Sequence, residues 1–324
     1  MRAVFLSVLI LTAAPAMAKP STYDSRTELE TADKALADKN YSLAFKEYKR
    51  HADKNGLAQF TLGLIEQLGW GRPQNPVAAC EWFARAAQAS IPSAQQFFGD
   101  CLAQGIGRKV DGPAAVQWYQ AAADQGLAGA SCAAGELFIA GKSVTQDIPR
   151  GLSLCVAAAQ AGSTPSMMKL AAFYSEGGAV AQDLSLARFW YTEAAERHVH
   201  EAQFRLGVML SEGQGGEANV DKARFWLERA ATEGYPPAYL PTAILYANAP
   251  VDPDTGMLSA EDLAKIYMWN SAAKATTQDP TQLAEIVRIE AMTLKLMPPQ
   301  WKPVLDQRVA AHLAKFNENK NAPL

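Results

Sequence analysis

The chain has 324 residues, 49% of them hydrophobic and 19% charged, with 30 Lys and Arg against 33 Asp and Glu for a net charge of −3. Enough apolar residues are present to bury a sizeable core, which excludes a wholly disordered chain. The charges are dispersed and slightly acidic, so no basic stripe is offered to nucleic acid.

Arg2 precedes an apolar run from Val4 to Ala14 and then Ala16-Met17-Ala18, the arrangement of a cleavable export leader. Residues 1–18 are expected to be a signal peptide cut after Ala18, sending the chain to the periplasm or beyond the cell. The run is shorter than the roughly 20 apolar residues of a membrane span, and no later stretch reaches that length. Residues 19–56 carry Ala32, Ala35, Asn40-Tyr41, Ala44 and Tyr48, small and aromatic residues spaced as in a first pair of helices.

From there the sequence repeats. Rows of 36 residues place Gly63, Gly99, Gly135 and Gly207 in one column, completed by Ala171 and Ala243. Further along each row stand Trp82, Trp118, Trp190 and Trp226, with Leu154 in the third row, followed by Ala86-Ala87, Ala122-Ala123, Ala158-Ala159, Ala194-Ala195 and Ala230-Ala231. Small residues let helix backbones approach, and the tryptophan is expected to fill the space beside them. Gly69, Gly105, Gly141, Gly177 and Gly213 suit a left-handed helix end. Asn75, Asp111, Asp147, Asp183 and Asn219 then suit the N-cap of a second helix. One row is therefore a helix, a turn and a helix, and it buries its apolar face only by stacking on its neighbours.

A sixth Ala-Ala pair, Ala272-Ala273, is shifted by a loop from Ala249 to Ser259 rich in Pro, Asp and Gly. Residues 57–275 thus read as six repeats. Residues 276–316 read as capping helices, the last beginning near Pro299 with Lys302, Asp306, Gln307, Arg308 and Lys315 on a watered face. Residues 317–324 read as a disordered tail. The fold class predicted is all-α, a right-handed α-solenoid of stacked antiparallel helix pairs.

These motifs resemble the Sel1-like repeat family, relatives of tetratricopeptide repeats. Ala94, Gly99, Gly105-Ile106-Gly107, Asp111, Ala115, Trp118-Tyr119, Ala122-Ala123 and Gly126 carry the likeness, and Ala202 to Gly234 is similar. The first helix pair resembles a tetratricopeptide hairpin. The third row departs most, with Gly151 for alanine and Leu154-Cys155 for Trp-Tyr. Tetratricopeptide geometry implies a concave face lined by Phe60, Leu64, Gln96, Asp100, Glu136, Met168, Phe204, Val208 and Leu240.

Four cysteines in an exported chain point to disulfides. Cys80 and Cys101 lie about equally far from the turn joining their helices, and Cys132 and Cys155 stand in the same relation, so those pairs are expected. Each bridge is worth about 3 kcal/mol in the chain-entropy model. The cysteine-rich branch of the family instead places a cysteine pair eight residues apart in every repeat, a spacing this chain lacks. No Cys-x-x-Cys pair or neighbouring histidine suggests zinc.

Little else suggests chemistry. His198-Val199-His200 falls at a turn, and His51 and His312 read as exposed. The Gly-x-Gly segments Gly69-Trp70-Gly71, Gly105-Ile106-Gly107 and Gly213-Gln214-Gly215 follow a helix at the same place in their repeats and lack a following Lys-Ser or Lys-Thr, so they read as structural turns rather than phosphate loops. No nucleophile elbow or metalloprotease motif is present, and no cofactor or metal is expected. The expected function is that of a non-enzymatic periplasmic adaptor whose concave face binds a protein of the cell envelope. The resemblance offers two alternatives: a peptidoglycan- or β-lactam-binding protein with at most weak hydrolysis, signalled by a perturbed carboxylate or serine in the groove, and a secreted factor acting on host cells.

Overall fold

The computed structural model describes residues 27–319, and the expected leader lies outside them. Every regular element among the described residues is helical. A short N-terminal pair, α1 (Glu30–Ala37) and α2 (Tyr41–His51), precedes the repeats. The first helices of the six following hairpins are α3 (Gly56–Leu68), α5 (Pro92–Gln104), α7 (Gly129–Ala140), α9 (Thr164–Glu176), α11 (His200–Glu212) and α13 (Tyr239–Ala247). Their second helices are α4 (Pro76–Gln88), α6 (Gly112–Asp124), α8 (Ile148–Gln160), α10 (Leu184–Glu196), α12 (Val220–Thr232) and α14 (Ala260–Thr276). Each of these helices packs on the next in chain order. The result is the α-solenoid, closed by α15 (Pro280–Leu296) and α16 (Lys302–Asn319).

Local chemistry sets each turn. Helix α5 ends at Gly105, whose φ of 71° is the left-handed conformation glycine adopts without a Cβ clash. The side chains of Asn75, Asp111, Asp147, Asp183 and Asn219 accept from the amides of Ala78, Ala114, Arg150, Leu186 and Lys222 at 2.9–3.1 Å. Each capping residue's own amide donates back to the first helix, as Asp111 does to the Leu102 carbonyl at 2.9 Å. The two helices are thus tied by hydrogen bonds to the capping residue as well as by packing.

Packing within the hairpin differs from expectation in one respect. The residue after the tryptophan, rather than the tryptophan itself, fills the space beside the small column residue. A Cβ on Gly99 would stand 2.6 Å from the Tyr119 ring, and Gly63 and Gly207 face Phe83 and Leu227 in the same way. Trp118 is one helical step away, half-buried, and meets Phe98 edge-on at 5.5 Å. Adjacent helix positions differ by about 100°, so only one of the pair can point at the opposing backbone.

The third hairpin solves the same problem with smaller parts. A Cβ on Gly135 would lie 2.5 Å from the Gly151 carbonyl oxygen, and one on Gly151 would lie 2.5 Å from that of Gly135. Helices α7 and α8 therefore touch backbone to backbone. Cys132 and Cys155 join them with Cα atoms 4.0 Å apart, while Cys80 and Cys101 join α4 to α5, one hairpin to the next, across 5.9 Å.

The C-terminal end covers the last hairpin. His312, expected to be exposed, is half-buried: it stands 3.1 Å from the Tyr239 hydroxyl and meets the Tyr239, Trp269 and Phe316 rings edge-on. His51 is likewise half-buried. Helix α16 runs to Asn319, three residues into the segment expected to be a tail, and residues 320–324 lie outside the described region.

Candidate functional site

The nine residues expected to line a groove all lie on first helices, and all nine are half-buried. Those helices present one shared surface, because side chains bridge successive hairpins across it. Phe60 of α3 meets Phe97 of α5 at 5.8 Å, and Lys169 of α9 pairs with Glu136 of α7 at 2.8 Å.

The face is divided rather than uniform. Gln96 and Glu136 line one cleft of about 480 Å³ together with Lys169, Ser163 and Ser166. The two serines hydrogen-bond each other at 2.8 Å as part of the α9 cap. Phe204 and Leu240 line a second cleft of about 360 Å³ with Pro236, Pro237, Pro241 and Ile244. Asp100 lines neither of these, and borders a small pocket between α4 and α5. Phe60 and Leu64 pack against the core that holds Phe83 and Tyr119, and Met168 packs against the core that holds Leu170 and Tyr191. Val208 is half-buried on α11 and lines none of the three cavities.

Asp100 is the electrostatic feature of the face. Its carboxylate accepts from the Tyr119 hydroxyl at 2.7 Å. Burial lifts the Asp100 carboxyl above the ordinary carboxylate range, the nearby negative charge of Glu136 adds to the rise, and the Tyr119 bond opposes it. Burial and the same hydrogen bond push the Tyr119 phenol up. Related tyrosine–carboxylate bonds recur elsewhere: Tyr48 to Asp33, Tyr246 to Glu228 and Tyr267 to Asp306, each at 2.6 Å. Lys265 bonds both Glu228 and the Tyr246 hydroxyl, whose pKa burial and Glu228 raise to about 12.

Sequence reasoning did not single out Lys169, Tyr235 or the three prolines of the second cleft. Tyr235 tilts over Phe204 at 5.8 Å. Lys169 carries no repeat signal, and the recurrence of proline at helix starts does not show which prolines share a cleft, so only proximity exposes these residues. His198, with φ of 62°, stands at the turn before α11, and both it and His200 face Glu233, at 3.6 and 3.1 Å. Arg229 approaches His198 at 3.1 Å and Glu233 at 3.4 Å, making this an ion cluster that closes the hairpin base. The second helices also expose apolar rings, with Phe189 and Phe225 each more than half accessible and edge-on to the following tryptophan.

Comparison with known proteins agrees with this architecture. The model of the Sel1 repeat family matches residues 56–90, 92–127, 128–163, 164–198 and 200–235. The last hairpin, with its inserted loop and 17-residue α14, lies beyond those matches. Among solved structures, a Sel1 repeat protein from Oxalobacter formigenes is 24% identical, with the match covering 77% of this chain and all of that one at a TM-score of 0.57. A protective antigen of uropathogenic Escherichia coli displaying an SLR fold, c5321, is also 24% identical, with 89% and 69% covered and a TM-score of 0.45. No curated protein matches. The five matched repeats span more than half of the chain, which belongs to the Sel1 repeat family, whose members generally serve as scaffolds for protein–protein contacts.

Proposed function

We propose that the protein is a periplasmic adaptor that holds an envelope protein against the face formed by its first helices. The observation that carries this reading is the set of side chains on that face that the fold leaves half-covered. Phe60, Leu64, Met168, Phe204, Val208 and Leu240 give apolar area, interrupted by Gln96, Asp100 and Glu136. A partner burying that mixture gains hydrophobic stabilisation at the apolar positions and orientation at the polar ones. The compartment rests on the Arg2-to-Ala18 leader pattern and on two disulfides, bonds that persist in oxidising environments.

In-cell crosslinking tests it, with photoreactive probes at Gln96, Lys169 and Phe204 and controls at Gln117 and Ser153, which are exposed on second helices. Capture of one envelope protein from the first-helix probes alone is the expected result. Equal capture from both sets, or none, counts against the adaptor. Fractionation, with the mature mass beginning at Lys19, tests the compartment and separates a periplasmic protein from one released toward host cells.

A second reading, glycan or β-lactam binding, draws on the raised Asp100 carboxyl. Turnover of a chromogenic cephalosporin, lost in Asp100→Asn, would favour it. The Tyr119 hydroxyl donates to one oxygen of that carboxylate and so weakens it as a general base, which favours the adaptor.

A further inference from the structure

The pocket bordered by Asp100 has a specific chemical character. Its volume is about 100 Å³, well below the roughly 300–1,000 Å³ of a small-molecule site. It has room for one side chain. Phe83, Phe97, Ile106 and the buried Cys80–Cys101 bridge wall it, while the exposed Gln67 and Gln104 stand at its mouth.

Within that apolar setting Asp100 has no cation of its own. Among the described residues its hydrogen-bond donor is the neutral Tyr119 hydroxyl, and no lysine, arginine or histidine reaches salt-bridge distance. The neighbouring Glu136 adds charge of the same sign and is already tied to Lys169. A partly buried carboxylate without a counter-ion is costly, and the cost is relieved by a cation rather than by an apolar or anionic occupant. The aromatic walls also favour a cationic side chain with an alkyl stem, which lies along the rings while its head meets the carboxylate.

We propose that this pocket receives a lysine or arginine side chain of the bound partner, with the Asp100 carboxylate as its counter-ion. The inference rests on the adaptor reading and names what the groove selects. The partner's contact segment is a basic residue flanked by apolar ones, matching the adjacent Phe60 and Leu64 surface.

The test uses the mature, disulfide-intact protein and fluorescein-labelled peptide pools that differ at one fixed position, Lys, Arg, norleucine or Glu, read by fluorescence anisotropy. The Lys and Arg pools are expected to bind about tenfold more tightly than the norleucine pool, and the Glu pool more weakly still. Asp100→Asn keeps an amide oxygen for the Tyr119 hydroxyl, so its melting temperature is expected to match the parent while the preference disappears. A preference that survives in Asp100→Asn overturns the proposal, and so does equal binding by all pools to the parent protein, absence of binding included. Crosslinking from Gln96 and Phe204 reads the groove independently. Capture without a basic preference sinks this inference alone, whereas failed capture sinks the adaptor reading.

Discussion

At the scale of single residues, two kinds of position hold a repeat together, and they fail differently. Gly99 permits close approach, so Gly99→Ala forces a methyl to within 2.6 Å of the Tyr119 ring. Overpacking of that kind costs about 1–3 kcal/mol. It also moves Tyr119 off Asp100, so urea unfolding is expected to show the loss and binding the same defect. Asp111 instead satisfies an orphan amide at the start of α6. Asp111→Ala is expected to cost about 1 kcal/mol and to leave binding intact. If the two substitutions proved equal in both measurements, the distinction between packing and capping would not hold.

At the scale of elements, the two disulfides do different jobs. Cys132–Cys155 fastens α7 to α8 inside the hairpin that has neither tryptophan nor tyrosine at the usual place, and Cys80–Cys101 fastens α4 to α5 between hairpins. Replacing Cys132 and Cys155 together by alanine removes a bridge across a separation of 23 residues, expected to cost about 3 kcal/mol. The loss should appear first as hydrogen exchange in α7 and α8; uniform loss along the chain would contradict a local role. Helix α16 offers a pH test. Burial lowers the His312 pKa below the ordinary imidazole value of 6.5, the Lys315 charge adds to the fall, and a hydrogen bond with the Ala231 backbone opposes it. The docked helix therefore prefers the neutral ring, while the undocked chain takes up a proton sooner. Docking is fully present above that ordinary value and weakens as pH falls from it toward the lowered folded one. Protease cleavage within α16 is expected to accelerate over that interval, and His312→Gln to abolish the acceleration.

At the scale of the molecule, a solenoid is stable as a sum of neighbouring contacts, and its ends need a polar cover. Helices α15 and α16 supply it. Ile286 and Ile289 pack into the cluster with Tyr239, Ile266 and Trp269, and Asn270 donates to the Ile286 carbonyl at 2.9 Å. Ending the chain at Asp279 uncovers those rings and strands that amide. The truncated protein is expected to self-associate in size-exclusion chromatography while the parent does not, and a well-behaved truncation would mean that the last hairpin caps itself.

The amino-acid sequence by itself determined the period of 36, the hairpin, its caps and its turns, because each depends on residues a few positions apart. Asn75, Asp111, Asp147, Asp183 and Asn219 could be read as caps since an N-cap needs only the amides of the following turn. The pairing of Cys80 with Cys101 and of Cys132 with Cys155 followed from the same repeat frame. What only the tertiary structure decided concerns neighbours some twenty or more residues away. Tyr119, not Trp118, opposes Gly99; His312 is covered by rings from two other helices, Tyr239 and Trp269; eight of the nine face residues divide among two clefts, a small pocket and the flanks of the core, and Val208 joins none of these. Burial and electrostatic isolation are properties of surroundings, so Asp100 looked like any polar residue until α4, α6 and α7 were placed around it.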